Sequence, residues 1–411
     1  MRSKLLRILL GLLGGLFFGS NAVAQGIIGG QIRDSLTHEP LAYASVFLAN
    51  TTRGTNTDAN GRFVLTDIPT GQYDFIVSYL GYKIYQQPVT INGSALVLNV
   101  LLAKATNQLG EVVVRPRANN PQDYEQFVKA FLGVTSFSRQ CRVRNPEAVL
   151  VDYDAKKKLL TVNSTTYVEI ENQALGYRIR YHGLRFQLDY QNQVVSFFGH
   201  PVFEDLATRS ASKRQRWEAN RQKAYLGSVT HFLKSVYNDQ VTQEGFLVQK
   251  VRHVPNPKWP RADSLLRAYR ATPSKHHTRA DEDSLIRWQK EPPAFAMLYK
   301  RPLPTDSLRH AQLDSGRVWL RFHDLIQVTY QREKLDPAYI AVLLKISSNI
   351  NVSRVARQPQ VSTVHLLQHK AEIQANGQLN NPLAILNEGY WAFEKVGEML
   401  PFDYRLPPTV Q

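Results

Sequence analysis

Histidine, cysteine and carboxylate side chains are the groups best equipped for chemistry, and three places in this chain bring them close together in sequence. His369-Lys370-Ala371-Glu372 has the H-x-x-E spacing with which a zinc peptidase presents two of its ligands. A catalytic zinc takes three protein ligands and keeps a fourth position for water. No histidine follows His369, so the pair reads as a His and a Glu at a strand edge. His276, His277, Asp281, Glu282 and Asp283 place nitrogen and oxygen donors within eight residues. The two histidines are adjacent and lack the i, i+4 spacing that would align them on one helical face. The acids are therefore expected in the first turn of a helix running into Leu285 and Trp288, where negative charge meets the positive end of the dipole. Cys141 is the sole cysteine, which excludes intramolecular disulfides and thiolate clusters. Arg139, Arg142 and Arg144 would lower its pKa if they surrounded it. With no base motif beside it, an inert, half-buried thiol at the edge of a strand is expected. H-E-x-x-H, G-x-S-x-G, P-loop and G-x-G-x-x-G motifs are absent.

Charge is the other feature with chemical content. The chain has 411 residues, 50 Lys plus Arg against 34 Asp plus Glu, and a formal charge of +16. Met1 to Ala24 reads as a secretory signal peptide: Arg2, Lys4 and Arg7 precede an apolar run from Ile8 to Phe18, and Ala22-Val23-Ala24 fits a cleavage site. Its removal would leave +13, of which Arg209 to Lys223 holds +5 and Lys250 to Arg279 holds +7. If the first of these stretches is helical, Arg209, Lys213, Arg216 and Lys223 share one face with Trp217 beside it. That face is the candidate contact for anionic envelope lipid or glycan, including peripheral membrane contact, at up to about 1 kcal/mol per well-placed cation. Nucleic acid is disfavoured by export, and a merely solvated face is the competing reading. No later stretch reaches the ~18 apolar residues of a spanning helix, so a soluble or peripheral mature chain is expected.

The elements that must position these residues are mainly strands. With 43% hydrophobic residues the chain can build a sizeable core, and at ~150 residues per domain it should hold two or three. Between Ile27 and Leu102, apolar alternation and turn chemistry exchange every eight to twelve residues, the rhythm of a β-sandwich. Seven strands are expected, beginning near Ile27, Ser45, Gly54, Arg62, Gln72, Lys83 and Ser94. A linker follows (105–121), and then an α+β region (122–411). That region starts with a helix from Asp123 to Leu132 and strands at Val149 to Tyr153, Leu159 to Val162 and Thr166 to Ile170. Tyr177, Ile179 and Tyr181 alternate on one parity and Leu184, Phe186 and Leu188 on the other, which predicts a bulge at His182-Gly183. Helical spacing from Ser212 to Tyr237 should divide at Gly227-Ser228, and a strand is expected at Val248 to Val251. Pro255 to Pro304 reads as a long polar excursion with short helices at most. Strands are expected again from Val318 to Tyr330 and Val361 to Leu367, then a strand or turn from Ala371 through Asn376-Gly377 into Leu383 to Leu386. Tyr390, Trp391 and Phe393 are expected to pack in the core.

The series Gly30-Gln31-Ile32-Arg33-Asp34, Pro40-Leu41-Ala42-Tyr43-Ala44, Gly54-Thr55, Thr57-Asp58, Gly61-Arg62-Phe63, Ile68-Pro69-Thr70-Gly71 and Tyr79-Leu80-Gly81-Tyr82 resembles the carboxypeptidase-regulatory-like domain. The resemblance implies a prealbumin-like sandwich over residues 25–104, a non-catalytic accessory module often found in exported proteins of Gram-negative bacteria and ahead of outer-membrane transporters. Leu109 to Val114 resembles the segment linking this domain to a transporter plug. A 22-strand barrel needs ~220 residues in its wall alone, and the helical patterns after Leu102 do not suit one. The stretches Glu171 to Tyr177, Tyr225 to Ser228, His231 to Leu233, Gly389 to Glu394 and Met399 to Tyr404 resemble the region that commonly follows this sandwich, for which no activity is implied. The sequence thus reads as a non-catalytic exported module, periplasmic, outer-membrane-associated or secreted, with no cofactor and no metal site. A glycan or peptide hydrolase with an unidentified carboxylate pair is the alternative.

Overall fold

The computed structural model describes residues 25–105, 119–272, 278–289, 291–312, 314, 316–346 and 351–407. The signal peptide expected at 1–24, most of the linker, and His276 and His277 lie outside the described residues. The chain divides into two units, residues 1–112 and 113–411, and each is described by itself.

In the first unit the expected seven strands form: β1 (Gly26–Asp34), β2 (Ser45–Leu48), β3 (Gly54–Asn56), β4 (Arg62–Ile68), β5 (Gly71–Ser78), β6 (Tyr85–Ile91) and β7 (Ala95–Leu102). They make two sheets, β4-β1-β7 and β3-β2-β5-β6, with β1 parallel to β7 and the other pairs antiparallel. Alternate side chains of both sheets, among them Ile28, Ile32, Val46, Phe63, Phe75, Val77 and Val100, fill one core. The turn before β4 closes because the Asp58 carboxylate accepts from the amides of Asn60 at 2.9 Å and Arg62 at 2.8 Å, while Gly61 takes φ +69°. After β1, the Asp34 carboxylate accepts from Tyr82 Oη at 2.6 Å and from the amides of Thr37 and Leu36. These bonds hold its pKa down at about 2.

The second unit begins with α1 (Pro121–Leu132), capped by Asn120, whose Phe127 and Phe131 pack edge-on against Phe186. A six-stranded sheet follows, built from β8 (Cys141–Val143), β9 (Val149–Asp154), β10 (Leu159–Ser164), β11 (Tyr167–Asn172), β12 (Tyr177–Asp189) and β13 (Val194–Asp205). The predicted bulge lies in β12: His182 pairs with His200 and Arg185 with Phe198, so one extra residue is absorbed, and Gly183 takes φ +61°. The buried parity switches there from Tyr177, Ile179 and Tyr181 to Leu184 and Phe186, all facing one core.

Two helices divide at Gly227, α2 (Ala211–Tyr225) and α3 (Val229–Tyr237), each capped by a serine hydroxyl, Ser210 or Ser228. Beyond them the expectation fails in part. In place of a polar excursion, β14 (Phe246–Pro255) leads into α4 (Trp259–Ala271), α5 (Arg279–Gln289) and a strand, β15 (Ala294–Pro302). The strand β15 is the outer one of its sheet and almost wholly exposed, so it has no buried parity to leave a period-2 trace. Of the expected acids, Asp281 and Glu282 occupy the first turn of α5, where Asp281 and Thr278 cap each other, and Asp283 lies beyond it. The apolar stretch from Val318 to Tyr330 is two strands, Arg317–Leu320 and Leu325–Lys334, because Asp324 turns at φ +62° between them. In chain order the rest is β16 (Arg309–Gln312), β17 (Arg317–Leu320), β18 (Leu325–Lys334), the unforeseen α6 (Pro337–Ile346), α7 (Val352–Val355), β19 (Pro359–Leu366), β20 (Ala371–Ile373), β21 (Ile385–Gly389) and α8 (Tyr390–Phe393). The sheets are β15-β14-β18-β19-β21 and β16-β17-β20, and α3 packs Phe232, Leu233 and Val236 into a second core with them.

Gly176, at φ +72°, lies against the Trp217 indole of α2, and a Cβ there would stand 2.2 Å from a ring carbon. Gly316, at φ +64°, has open space at the same position. Gly176→Ala is expected to destabilise the second unit by roughly 2–4 kcal/mol in urea denaturation, backbone strain plus overpacking, whereas Gly316→Ala costs only about 1 kcal/mol.

Candidate functional site

The basic residues singled out in the sequence do not form one face. Arg209 precedes the cap of α2 and is exposed outside the helix. Trp217 is only 4% exposed; its ring covers Gly176 and its Nε1 donates to the Gln173 carbonyl at 2.9 Å. It is a packing residue, which corrects the expectation of an aromatic beside a binding surface. Lys213 sits on the same side, its Nζ 4.9 Å from the Trp217 ring centroid. Arg221 is structural as well, lying 3.8 Å over the Tyr177 ring and bonding Leu175 O, Gly176 O and Asp205. Arg214 and Arg216 remain exposed, and Lys223 is exposed near the other end of the helix, close to the Phe137 ring. The first turn of α2 holds no acid, so its cations face the positive end of the dipole, a placement that opposes helix stability.

The second basic tract spans β14, α4 and the start of α5, and it adjoins an apolar edge that the sequence did not announce. Along β15, Phe295, Met297, Leu298 and Tyr299 are 40 to 50% exposed. Lys300 and Arg301 follow them in the same strand, and Arg252 lies opposite Met297 on β14. Lys250 is neutralised by Asp324 at 2.8 Å. Arg252, Lys300 and Arg301 have no carboxylate within ion-pair distance among the described residues.

A cleft of about 240 Å³ lies between the two cores of the second unit. Its walls come from the end of α2, the start of α3, the turn at Asn376 and the segment from Trp391 to Tyr404. Stretches of sequence noted for their resemblance thus converge on one place. Trp391 Nε1 donates to Gly227 O at 2.7 Å, the Tyr225 and Tyr404 rings are 5.8 Å apart, and Asn172 Nδ2 donates to Gly397 O at 2.9 Å. Tyr390 and Trp391 are buried, as expected of packing residues.

The same segment carries Glu394 and Glu398 into the cleft, and these were not foreseen, since no local motif marks them. Burial, aided by each other's charge and by Glu333 and Asp336, pushes the Glu394 carboxyl well above its ordinary value. Burial likewise raises Glu398 to about 7 against a bond from Thr135, and Glu333 to about 7 against the nearby Lys223. Lys234 and Lys395 line the cleft too, and desolvation lowers both. Among the described residues no group of three or more His, Cys, Asp or Glu is arranged to hold a metal. Glu372 instead pairs with Arg317 at 3.5 Å while His369 is exposed. Cys141 is buried at the start of the edge strand β8, with its thiol pushed up to about 12 by burial, and Arg144 is engaged with Glu171. It is more deeply buried than expected, an environment that disfavours the reactive thiolate.

A carboxyl whose pKa is higher folded than unfolded binds its proton more tightly in the native state, so its stabilisation is complete below the unfolded value and is lost as pH rises through the folded one. With Glu398 and Glu333 near 7, the second unit should lose stability between pH ~4.5 and ~7, and Glu398→Gln should flatten that slope by an amount on the order of 3 kcal/mol. Urea midpoints measured across this range check it.

Comparison with known proteins adds a family for the first unit. Residues 28–114 match the model of the CarboxypepD_reg-like domain. The TonB-dependent receptor SusC of Bacteroides thetaiotaomicron is 40% identical over 110 residues, 26% of this chain and 10% of the receptor. The chain therefore spans about a tenth of that relative's length. Among solved structures, the major pilin subunit BcpA of Bacillus cereus matches 20% of this chain and 31% of its own at 19% identity and a TM-score of 0.18. Catechol 1,2-dioxygenase from Acinetobacter sp. ADP1 matches 24% and 59% at 16% identity and 0.19. These two likenesses are too slight to carry an argument. Residues 28–114 carry the CarboxypepD_reg-like domain, whose seven strands between Gly26 and Leu102 form the β-sandwich, and the described residues of the second unit lie outside that match.

Proposed function

We propose that this chain is an exported, non-catalytic binding module of the Gram-negative envelope that rests on anionic lipid through its second unit. The sandwich match and the likeness over 110 residues to a TonB-dependent receptor support the location. The observation that carries the contact is β15: four large apolar side chains exposed on an outer strand, continued by Lys300 and Arg301 and flanked by Arg252. Exposed apolar groups favour a bilayer interface, and unpaired cations add attraction for its headgroups. Arg209, Arg214 and Arg216 form a further exposed basic group, suited to acidic glycan or lipid, whereas Trp217 has no part in it.

A hydrolase of glycans or peptides is the second reading, favoured by one observation, the raised carboxyls of Glu394 and Glu398 in the cleft. Turnover of a glycan or peptide that is abolished by Glu394→Gln would establish it against the first.

Sedimentation with phosphatidylglycerol vesicles over a salt series tests the binding reading. Lys300→Glu plus Arg301→Glu should weaken retention roughly tenfold or more, and rising salt should do the same. Phe295→Ser plus Leu298→Ser should lower retention at every salt concentration, and Lys213→Glu plus Arg216→Glu should have the smaller effect. Retention indifferent to salt and to the β15 variants removes this surface from the proposal.

A further inference from the structure

We propose that the cleft lined by Glu394, Glu398, Lys234 and Lys395 is a binding site for a small zwitterion, a free amino acid or short peptide that presents an ammonium and a carboxylate together. The proposal goes beyond the anionic-surface reading and uses none of its residues.

Acidic and basic side chains stand in this cleft without pairing with one another among the described residues. Glu394 makes no side-chain hydrogen bond or ion pair among the described residues, although its carboxyl is largely removed from water. Lys234 and Lys395 have no carboxylate within ion-pair distance among the described residues, and both are desolvated. Ions taken out of water are normally compensated by pairing with one another. Here acidic and basic side chains line one cavity and make no ion pair across it among the described residues, so a ligand that supplies both an ammonium and a carboxylate would let the carboxyls ionise and the lysines stay charged. A ligand carrying only negative charge meets the glutamates unfavourably, one carrying only positive charge meets the lysines, and a neutral sugar leaves both kinds without a partner. A zwitterion compensates both.

The surroundings fit the same chemistry. Tyr225 gives an aromatic wall, its ring 6.0 Å from Lys234 Nζ, and Asn376 adds a neutral amide for hydrogen bonding. A cleft of about 240 Å³ suits a small molecule rather than a folded partner or an extended polymer. Its walls are tied together by the Trp391–Gly227 bond, so the charged groups stand on anchored backbone.

Calorimetric titration of the full chain with alanyl-alanine, its N-acetylated amide and maltose, above neutral pH, tests the proposal. The free dipeptide should bind, and the blocked form and the sugar should bind at least tenfold more weakly. Glu394→Gln and Lys234→Met should each weaken the dipeptide about tenfold while circular dichroism stays native, since each removes one charge-assisted contact. Lack of dipeptide binding overturns the proposal, as does equal affinity for the free and blocked forms, preference for maltose, or unchanged affinity in two folded variants. Cleavage of the dipeptide, followed by chromatography, would assign the cleft to the hydrolase reading instead.

Discussion

The second unit depends on the hydrogen bond from Trp391 Nε1 to Gly227 O, 2.7 Å long and buried. An indole inside a core needs an acceptor for its N–H. That acceptor belongs to the glycine that separates α2 from α3, where the φ of +78° and the closeness of Gln360 and Tyr330 leave no room for a Cβ. The backbone amide of Trp391 donates in turn to Ser362 on β19. A few residues on, Val396 enters the core of the six-stranded sheet and Gly397 O accepts from Asn172. One short C-terminal segment therefore belongs to both cores, and the space beside it becomes a cleft whose walls come from four separate parts of the chain.

Desolvation explains why the charged groups of this unit behave in opposite ways. On the outside, most cations of the basic tracts are compensated or spread over ring faces, as Arg221 is by Asp205 and Tyr177, Lys250 by Asp324 and Lys213 by Trp217. The surface that stays uncompensated is smaller than a count of Lys and Arg suggests: Arg209, Arg214 and Arg216 at the start of α2, and Arg252, Lys300 and Arg301 beside the exposed apolar groups of β15. Inside, burial raises the proton affinity of Glu333, Glu394 and Glu398, and Lys223 with single hydrogen bonds from Gln360 and Thr135 offsets it only in part for Glu333 and Glu398. Accumulated like charge in a dry setting is the condition under which a structure is poised to accept either protons or a counter-charge.

The seven strands of the first unit were legible because each has one wet and one dry face, and the turns between them carry Asp, Asn, Gly and Pro where positive or fixed φ is needed. The bulge at Gly183 was legible for the same reason: when the buried parity changes within an unbroken strand, one extra residue has to be taken up at the point of change. The strand β15 was not, because an outer strand wet on both faces has no parity to reveal. Trp217 misled for a related reason. Spacing placed it beside basic residues on a helical wheel, but which side of α2 meets the sheet was decided by Gly176, 41 positions earlier in the chain.

The amino-acid sequence by itself determined the two-sheet sandwich, the division of α2 from α3, and the burial of Tyr390 and Trp391, since each follows from local periodicity, a φ requirement or the cost of exposing an aromatic ring. Tertiary structure alone decided which cations remained uncompensated and which carboxyls met. Glu333 acquires its raised pKa from burial, and Glu394 and Glu398 from burial and from neighbouring carboxylates, and a group's distance from water and from charges far along the chain is not written in its neighbours.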